Sequence, residues 1–327
     1  MATDVIDIQQ QNHDIMPIVE IENDELAISI IPDLGGKMVS LTSKNSGTQF
    51  LKEPRIDYQL FSEPEYGEEF LPPNASGFDE CFPNVSPSKY EFKGEVLELP
   101  DHGELWAKSW KYREHENAIT LWTHGKQLNC RFAKHIELDG SAIRITYELE
   151  SLEEVPFEYM WSAHPLLDIT EGDQLILPEE ISEVVLNWAS DPNVGDLGDR
   201  LTWPDILGNN SNIDFNNIQN KSLEFAVKLF SDRLKKGKAG LYKQQTDETL
   251  FFSFDTEQVP FLGLWLCYGG WPSDRKEKEY TLALEPCNAR PDSLAEACKW
   301  GDQQQISPLS IKCWEVDISV YNGKKNL

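Results

Sequence analysis

Apolar and polar side chains alternate with a period of two along most of this chain, and the 3.6-residue period of a helix is rare. Leu26, Ile28 and Ile30 alternate with Ala27 and Ser29, and Ile143, Ile145, Tyr147 and Leu149 with Arg144, Thr146 and Glu148. Trp314, Val316, Ile318 and Val320 alternate with Glu315, Asp317 and Ser319. Successive strand residues point to opposite faces, so these runs read as half-buried strands. Turn formers fall between them, at Asp33-Leu34-Gly35-Gly36, Asp139-Gly140, Tyr268-Gly269-Gly270 and Asn322-Gly323. One short helix is expected from Asp292 to Trp300, with Asp292 or Ser293 as N-cap and Gly301 closing it. The stretch from Asn187 to Lys221 is rich in Asn, Asp, Gly and Pro, lacks alternation and reads as long surface loops. No repeat or interdomain linker is visible. The expectation is an all-β chain: a polar, disordered segment over 1–15, then one large antiparallel β-sandwich domain over 16–327 with few short helices.

The formal net charge is −27. That charge argues against binding nucleic acid through phosphates and against docking on anionic membranes. The six Cys (81, 130, 267, 287, 298, 313) include no CxxC pair, and the six His show no metal-ligand spacing, so no metal site is expected. No apolar run reaches the roughly 18 residues of a membrane span, and the N-terminus lacks the basic and apolar regions of a signal peptide. A cytoplasmic protein with free thiols is the simplest reading. No GxGxxG, GxxxxGK[ST], HExxH or GxSxG motif is present.

The segment YTLALEPCNARPDSL, 280–294, carries the clearest chemical signal. Thr281 to Leu284 reads as a strand with Leu282 and Leu284 on one face. Glu285 then falls on the other, with Thr281 and Ala283, and Pro286 is expected to interrupt the pairing. A carboxylate on a rigid strand end beside a loop can serve as a catalytic base, although an exposed Glu is the commoner case. His164 closes the run Phe157 to His164, with Pro165 after it, and alternation puts it on the face of Ser162 and Met160. His102 precedes Gly103, a residue that lets backbone approach closely. The segment 77–84, GFDECFPN, reads as a rim loop able to reach a ligand. Lys228, Lys235, Lys236 and Lys238 read as a solvated basic patch.

PDHGELW at 100–106, WSAHPL at 161–166 and LEPCNARPDS at 284–293 together resemble the aldose 1-epimerase (galactose mutarotase) family, in particular its aldose 1-epimerase-like branch. GFDECFPN at 77–84 and PFLGLWLCYGGWP at 260–272 also fit, and the resemblance covers roughly 20–320 with the motifs in order. The resemblance implies a β-supersandwich with a sugar cleft and a cofactor-free interconversion of α and β anomers through the open-chain aldehyde. It implies Glu285 as general base, His164 as general acid and His102 as a second His that binds and polarises the sugar. A carboxylate and an imidazolium in one cleft favour each other's charged forms, so His164 is expected to be protonated near neutral pH. Two departures stand out. Pro165-Leu166 replaces the aromatic-containing sequence after the acid His, and no Gly-Tyr-Asp-like segment supplies the sugar-gripping Asp. Asp79, Glu80, Trp265 and Trp271 are the candidates for the missing contacts, and Arg55 or Arg131 for the family's arginine.

Two other readings stay open. One is a non-catalytic sugar-binding or regulatory module on the same fold. The other is a glycoside hydrolase or lyase, with Asp79 or Glu80 as a second carboxylate about 5–10 Å from Glu285. The partner expected throughout is a small-molecule sugar. Its identity and the oligomeric state are open.

Overall fold

The computed structural model describes residues 16–208 and 213–327. The expectation for residues 1–15 lies outside the described residues. Ten strands form one sheet in the spatial order Val19–Glu22, Leu26–Ile31, Lys37–Ser43, Phe78–Cys81, Ser162–Leu167, Tyr280–Cys287, Phe261–Tyr268, Phe225–Phe230, Glu183–Ala189 and Arg200–Thr202. Eight form a second, in the order Gln174–Ile176, Lys238–Lys243, Glu248–Phe254, Ile311–Asn322, Ala142–Ser151, Cys130–Asp139, Ala118–His124 and Lys111–Glu114. All neighbours in both sheets are antiparallel, as the alternating pattern predicts.

The apolar side of each alternating strand meets the other sheet. Ile145, Leu149, Val316 and Ile318 of the eight-stranded sheet share one core with Leu264, Leu266, Leu282 and Leu284 of the ten-stranded sheet. The expected helix is Leu294–Trp300, with Ser293 as N-cap and Gly301 closing it at φ 76°. The sequence reading missed the edge strand Arg200–Thr202, which is exposed on both sides of its middle residue and so leaves no alternating signature.

Two expectations about strand ends need correction. The run ending at His164 is two strands, not one. Phe157–Tyr159 pairs with Gln304–Ile306 in a small sheet, and Ser162–Leu167 then carries His164 in its interior. The strand Tyr280–Cys287 likewise continues past Glu285, paired with Phe261–Tyr268 through Pro286, whereas on its other side, toward Ser162–Leu167, Pro286 interrupts the pairing as expected. Between these two neighbours the ladder registers at Ser162–Cys287, Leu166–Ala283 and Leu167–Leu282, with no registered pair in between. Leu166 N–H bonds to Gly77 on the far side, so the ring nitrogen of Pro165 faces this seam. Leu262 exchanges bonds with Ser231, so Pro286 opposite it also turns its nitrogen to the seam. Both prolines lack the N–H that the ladder needs there, which accounts for the gap.

Asp79 and Glu80 are adjacent on Phe78–Cys81 and therefore point to opposite faces. Glu80 points between the sheets. It accepts hydrogen bonds from Lys134 Nζ at 3.1 Å, Tyr147 Oη at 3.1 Å and Trp161 Nε1 at 3.2 Å. Removing one partner of a buried ion pair leaves an uncompensated charge, so Glu80→Ala should lower the unfolding free energy by about 3–5 kcal/mol. Urea denaturation measures this, and a loss below about 1 kcal/mol would show that Lys134 finds another partner or water.

Candidate functional site

The outer face of the ten-stranded sheet carries two successive rows of side chains. One row runs Trp188, Lys228, Trp265, Ala283 and Leu166 across five strands, each residue registered opposite the next. The adjacent row runs Phe230, Gly263 and Glu285, and His164 stands opposite Glu285 when the seam register is carried through. That seam position lies between two places where hydrogen-bonded pairs would form. It is therefore the close-approach kind of cross-strand pair. His164 Nε2 comes to 3.8 Å from Glu285 Oε1. The absence of a side chain at Gly263 leaves space for the carboxylate. A Cβ there would lie 3.2 Å from Glu285 Cβ and 3.3 Å from Oε2.

Lys228 reaches across this space and donates to Glu285 Oε2. Ser162 Oγ donates to the same oxygen at 3.3 Å. Lys228 Nζ also stands 3.6 Å from Asp292 Oδ1. Asp292 comes from the loop after the Glu285 strand and is fixed by Asn187, whose Nδ2 donates to Oδ2 at 2.9 Å. Glu285 is fully buried beneath the floor. His164 and Lys228 are the groups of this cluster that meet the cleft, with Asp292 on its wall.

The cleft has a volume of about 420 Å³, within the roughly 300–1,000 Å³ of small-molecule sites. One wall holds His102, whose ring lies 4.9 Å from that of His164 and perpendicular to it. Phe70 stacks on His102 at 4.1 Å, and Asp101 Oδ1 lies 2.9 Å from its Nδ1. His102 has φ 55° and Gly103 φ 74°, and a Cβ on Gly103 would lie 2.1 Å from the Phe82 carbonyl oxygen. Gly103 is therefore required by close backbone approach. Trp188, Trp265 and Trp271 form the opposite wall, with ring centroids of neighbours 5.8 and 6.0 Å apart.

Burial dominates the electrostatics. It pushes the Glu285 carboxyl up, against the pull of Lys228. For Lys228, burial opposes the charge, but Asp292 and Glu285 outweigh it and hold the amine above its ordinary range. The two groups form an ion pair. His164 is depressed well below 6.5, first by burial and then by His102, Lys228 and Lys37. The expected imidazolium is thus corrected to a neutral imidazole at neutral pH. Lys228 already spends the Glu285 charge, and the remaining neighbours are cationic or unsolvating.

Of the residues singled out from sequence, the fold gathers Glu285, His164, His102, Trp265 and Trp271 around the cleft. Asp79 faces the same side of the sheet as His164, but it is 1% exposed and bonded to Lys37. Glu80 lies in the inter-sheet core, so neither supplies a wall contact or a second carboxylate beside Glu285. Arg55 stands behind the wall, where it donates to Glu279 Oε1 at 2.8 Å. Lys52 holds the other oxygen of Glu279 at 2.6 Å, and Glu279 lines the cleft. Arg131 pairs with Glu148 on the other sheet at 2.7 Å. Lys228 is not a solvated lysine: it is 5% exposed, inside the strand Phe225–Phe230. The run Phe225-Ala226-Val227-Lys228-Leu229-Phe230 shows a lone Lys in an apolar strand, the signal that could have found it. Trp188 and Asp292 had no comparable local signal.

A buried imidazole held neutral adds nothing to the pH dependence of stability above 6.5. Below that value the unfolded chain binds a proton that the folded chain refuses, so stability falls as pH falls. His164 should contribute a loss of up to about 1.4 kcal/mol per pH unit, which His164→Gln removes. Urea unfolding of both proteins between about pH 7.5 and 5.5 reads the difference, and equal slopes would show that the folded protein protonates His164 freely.

A family model described as a domain of unknown function (DUF5107) matches residues 8–61. No curated protein matches the chain. Solved structures do. The Slr1438 protein from Synechocystis sp. PCC 6803 is 16% identical with a TM-score of 0.71, covering 96% of this chain and 100% of that one. A galactose mutarotase-like protein from Lactobacillus casei ATCC 334 is 14% identical with a TM-score of 0.68, covering 93% and 100%. A GalM/aldose epimerase homologue from C. elegans is 12% identical with a TM-score of 0.67, covering 94% and 100%. At these identities the likeness is one of fold: a large antiparallel sandwich of the galactose mutarotase-like kind.

Proposed function

We propose that this protein binds an aldose in the tryptophan-walled cleft and interconverts its α and β anomers. The observation that carries the reading is the convergence of His164 and Glu285, 3.8 Å apart, at the floor of that cleft. The hydroxyl and ring oxygens of a cyclic aldose share the anomeric carbon, so an acid and a base side by side can serve both. Glu285 takes the proton of the anomeric hydroxyl as the bond between the anomeric carbon and the ring oxygen breaks. His164, neutral in the free protein, must take up a proton as Lys228 leaves Glu285 uncompensated, and it then gives that proton to the ring oxygen. After rotation about the neighbouring carbon–carbon bond, the reverse transfers close the ring on the other face. These reverse transfers restore both groups, and no cofactor is needed. Turnover requires Lys228 to move off Glu285 as the sugar enters, because the carboxylate is covered in the free protein. The expected partner is a small-molecule sugar, and the expected compartment is the cytoplasm. Among the described residues no helix is long and apolar enough to cross a membrane.

A second reading, sugar binding without turnover, is favoured by the Lys228 contact with Glu285 and by the neutral state of His164. Anomer equilibration of freshly dissolved aldoses, followed by polarimetry or NMR exchange spectroscopy, separates the two. Catalysis should exceed the buffer rate, and Glu285→Gln should cut it by about 10²–10⁴-fold. Binding with no acceleration for any aldose would leave the second reading.

A further inference from the structure

The inner cleft has more negative than positive charge. Glu285 and Asp292 share the single ammonium of Lys228. Asp292 is 7% exposed, and its Oδ1 has no hydrogen-bond partner. Its carboxylate cannot turn away to find one. Asn187 Nδ2 holds Oδ2, and Asn187 Oδ1 accepts the Asp292 backbone N–H at 3.1 Å. The other cations beside the cleft, Lys52 and Arg55, are committed to Glu279. A buried carboxylate oxygen without a donor is costly, so a ligand that donates to it is favoured once the side chains covering that oxygen move aside, as Lys228 must for turnover. The tryptophan wall adds a second attraction for positive charge. Trp188 and Trp265 flank Lys228 in its row, and indole faces attract cations as well as apolar sugar faces.

We propose that the cleft selects a protonated amino sugar, a monosaccharide whose ammonium docks on Asp292 Oδ1 while its ring stacks on the tryptophan wall. This rests on reading the cleft as a sugar site and adds the substrate class. Sugar phosphates and uronic acids are disfavoured, because among the described residues no uncommitted Lys or Arg lines the cleft and the chain carries a net charge of −27.

Tryptophan fluorescence or calorimetric titration with D-glucosamine, D-glucose, N-acetyl-D-glucosamine and glucose 6-phosphate tests the proposal. At mildly acidic pH, where the amine is charged, glucosamine should bind roughly tenfold more tightly than glucose, the scale of one hydrogen bond to a charged group. N-acetylglucosamine, which lacks the charge, should lose that advantage. Asp292→Asn should bring the glucosamine-to-glucose affinity ratio down to about one. A wild-type measurement does not depend on the variant folding: raising the pH until the amine is neutral should erase the preference. Glucose binding with glucosamine no tighter, or a ratio unchanged by pH, overturns the amino-sugar assignment and leaves the sugar cleft standing. Binding of none of the four sugars overturns both.

Discussion

The buried ion pair of Lys228 with Glu285 is the contact on which the rest of the cleft depends. A carboxylate with no exposed surface is tolerated only when a cation compensates it, and the strand Phe225–Phe230 supplies that cation from two strands away. Gly263, on the strand between, removes the side chain that would separate them. Asp292 is drawn to the same ammonium and so brings the loop after the Glu285 strand over the sheet. The charge state of His164 follows from this pairing. With the Glu285 charge already compensated, burial decides, and the imidazole stays neutral.

The same sheet serves two purposes because alternation gives it two faces. Leu282 and Leu284 pack into the inter-sheet core, whereas Thr281, Ala283 and Glu285 face the cleft side. Asp79 and Glu80, neighbours in sequence, are divided in the same way: one joins Lys37 on the cleft side of the sheet, and the other joins Lys134 inside the sandwich. The seam at Pro165 and Pro286 sits where His164 meets Glu285, so the ladder is interrupted at the residues that form the site.

Most of the fold was legible in the chain. The alternating runs at Leu26–Ile30, Ile143–Leu149 and Trp314–Val320 are strands, and the helix ends at Ser293 and Gly301 obey local capping rules. The parity of Glu285 with Thr281 and Ala283, and of His164 with Ser162, was also legible. Parity depends only on counting along an extended backbone.

What the amino-acid sequence determined alone is therefore local: strand period, turn positions, helix caps and which side chains share a face. The tertiary structure alone decided the partners. Lys228 is 57 residues from Glu285, and Asn187 is 105 from Asp292. No local pattern marks which strands lie side by side, so it could not show that a lone lysine in an apolar strand neutralises the candidate base. Nor could it show that burial would strip the candidate acid of its charge. Protonation depends on the solvent and charges that the whole fold places around a group, and those come from chain segments far apart in sequence.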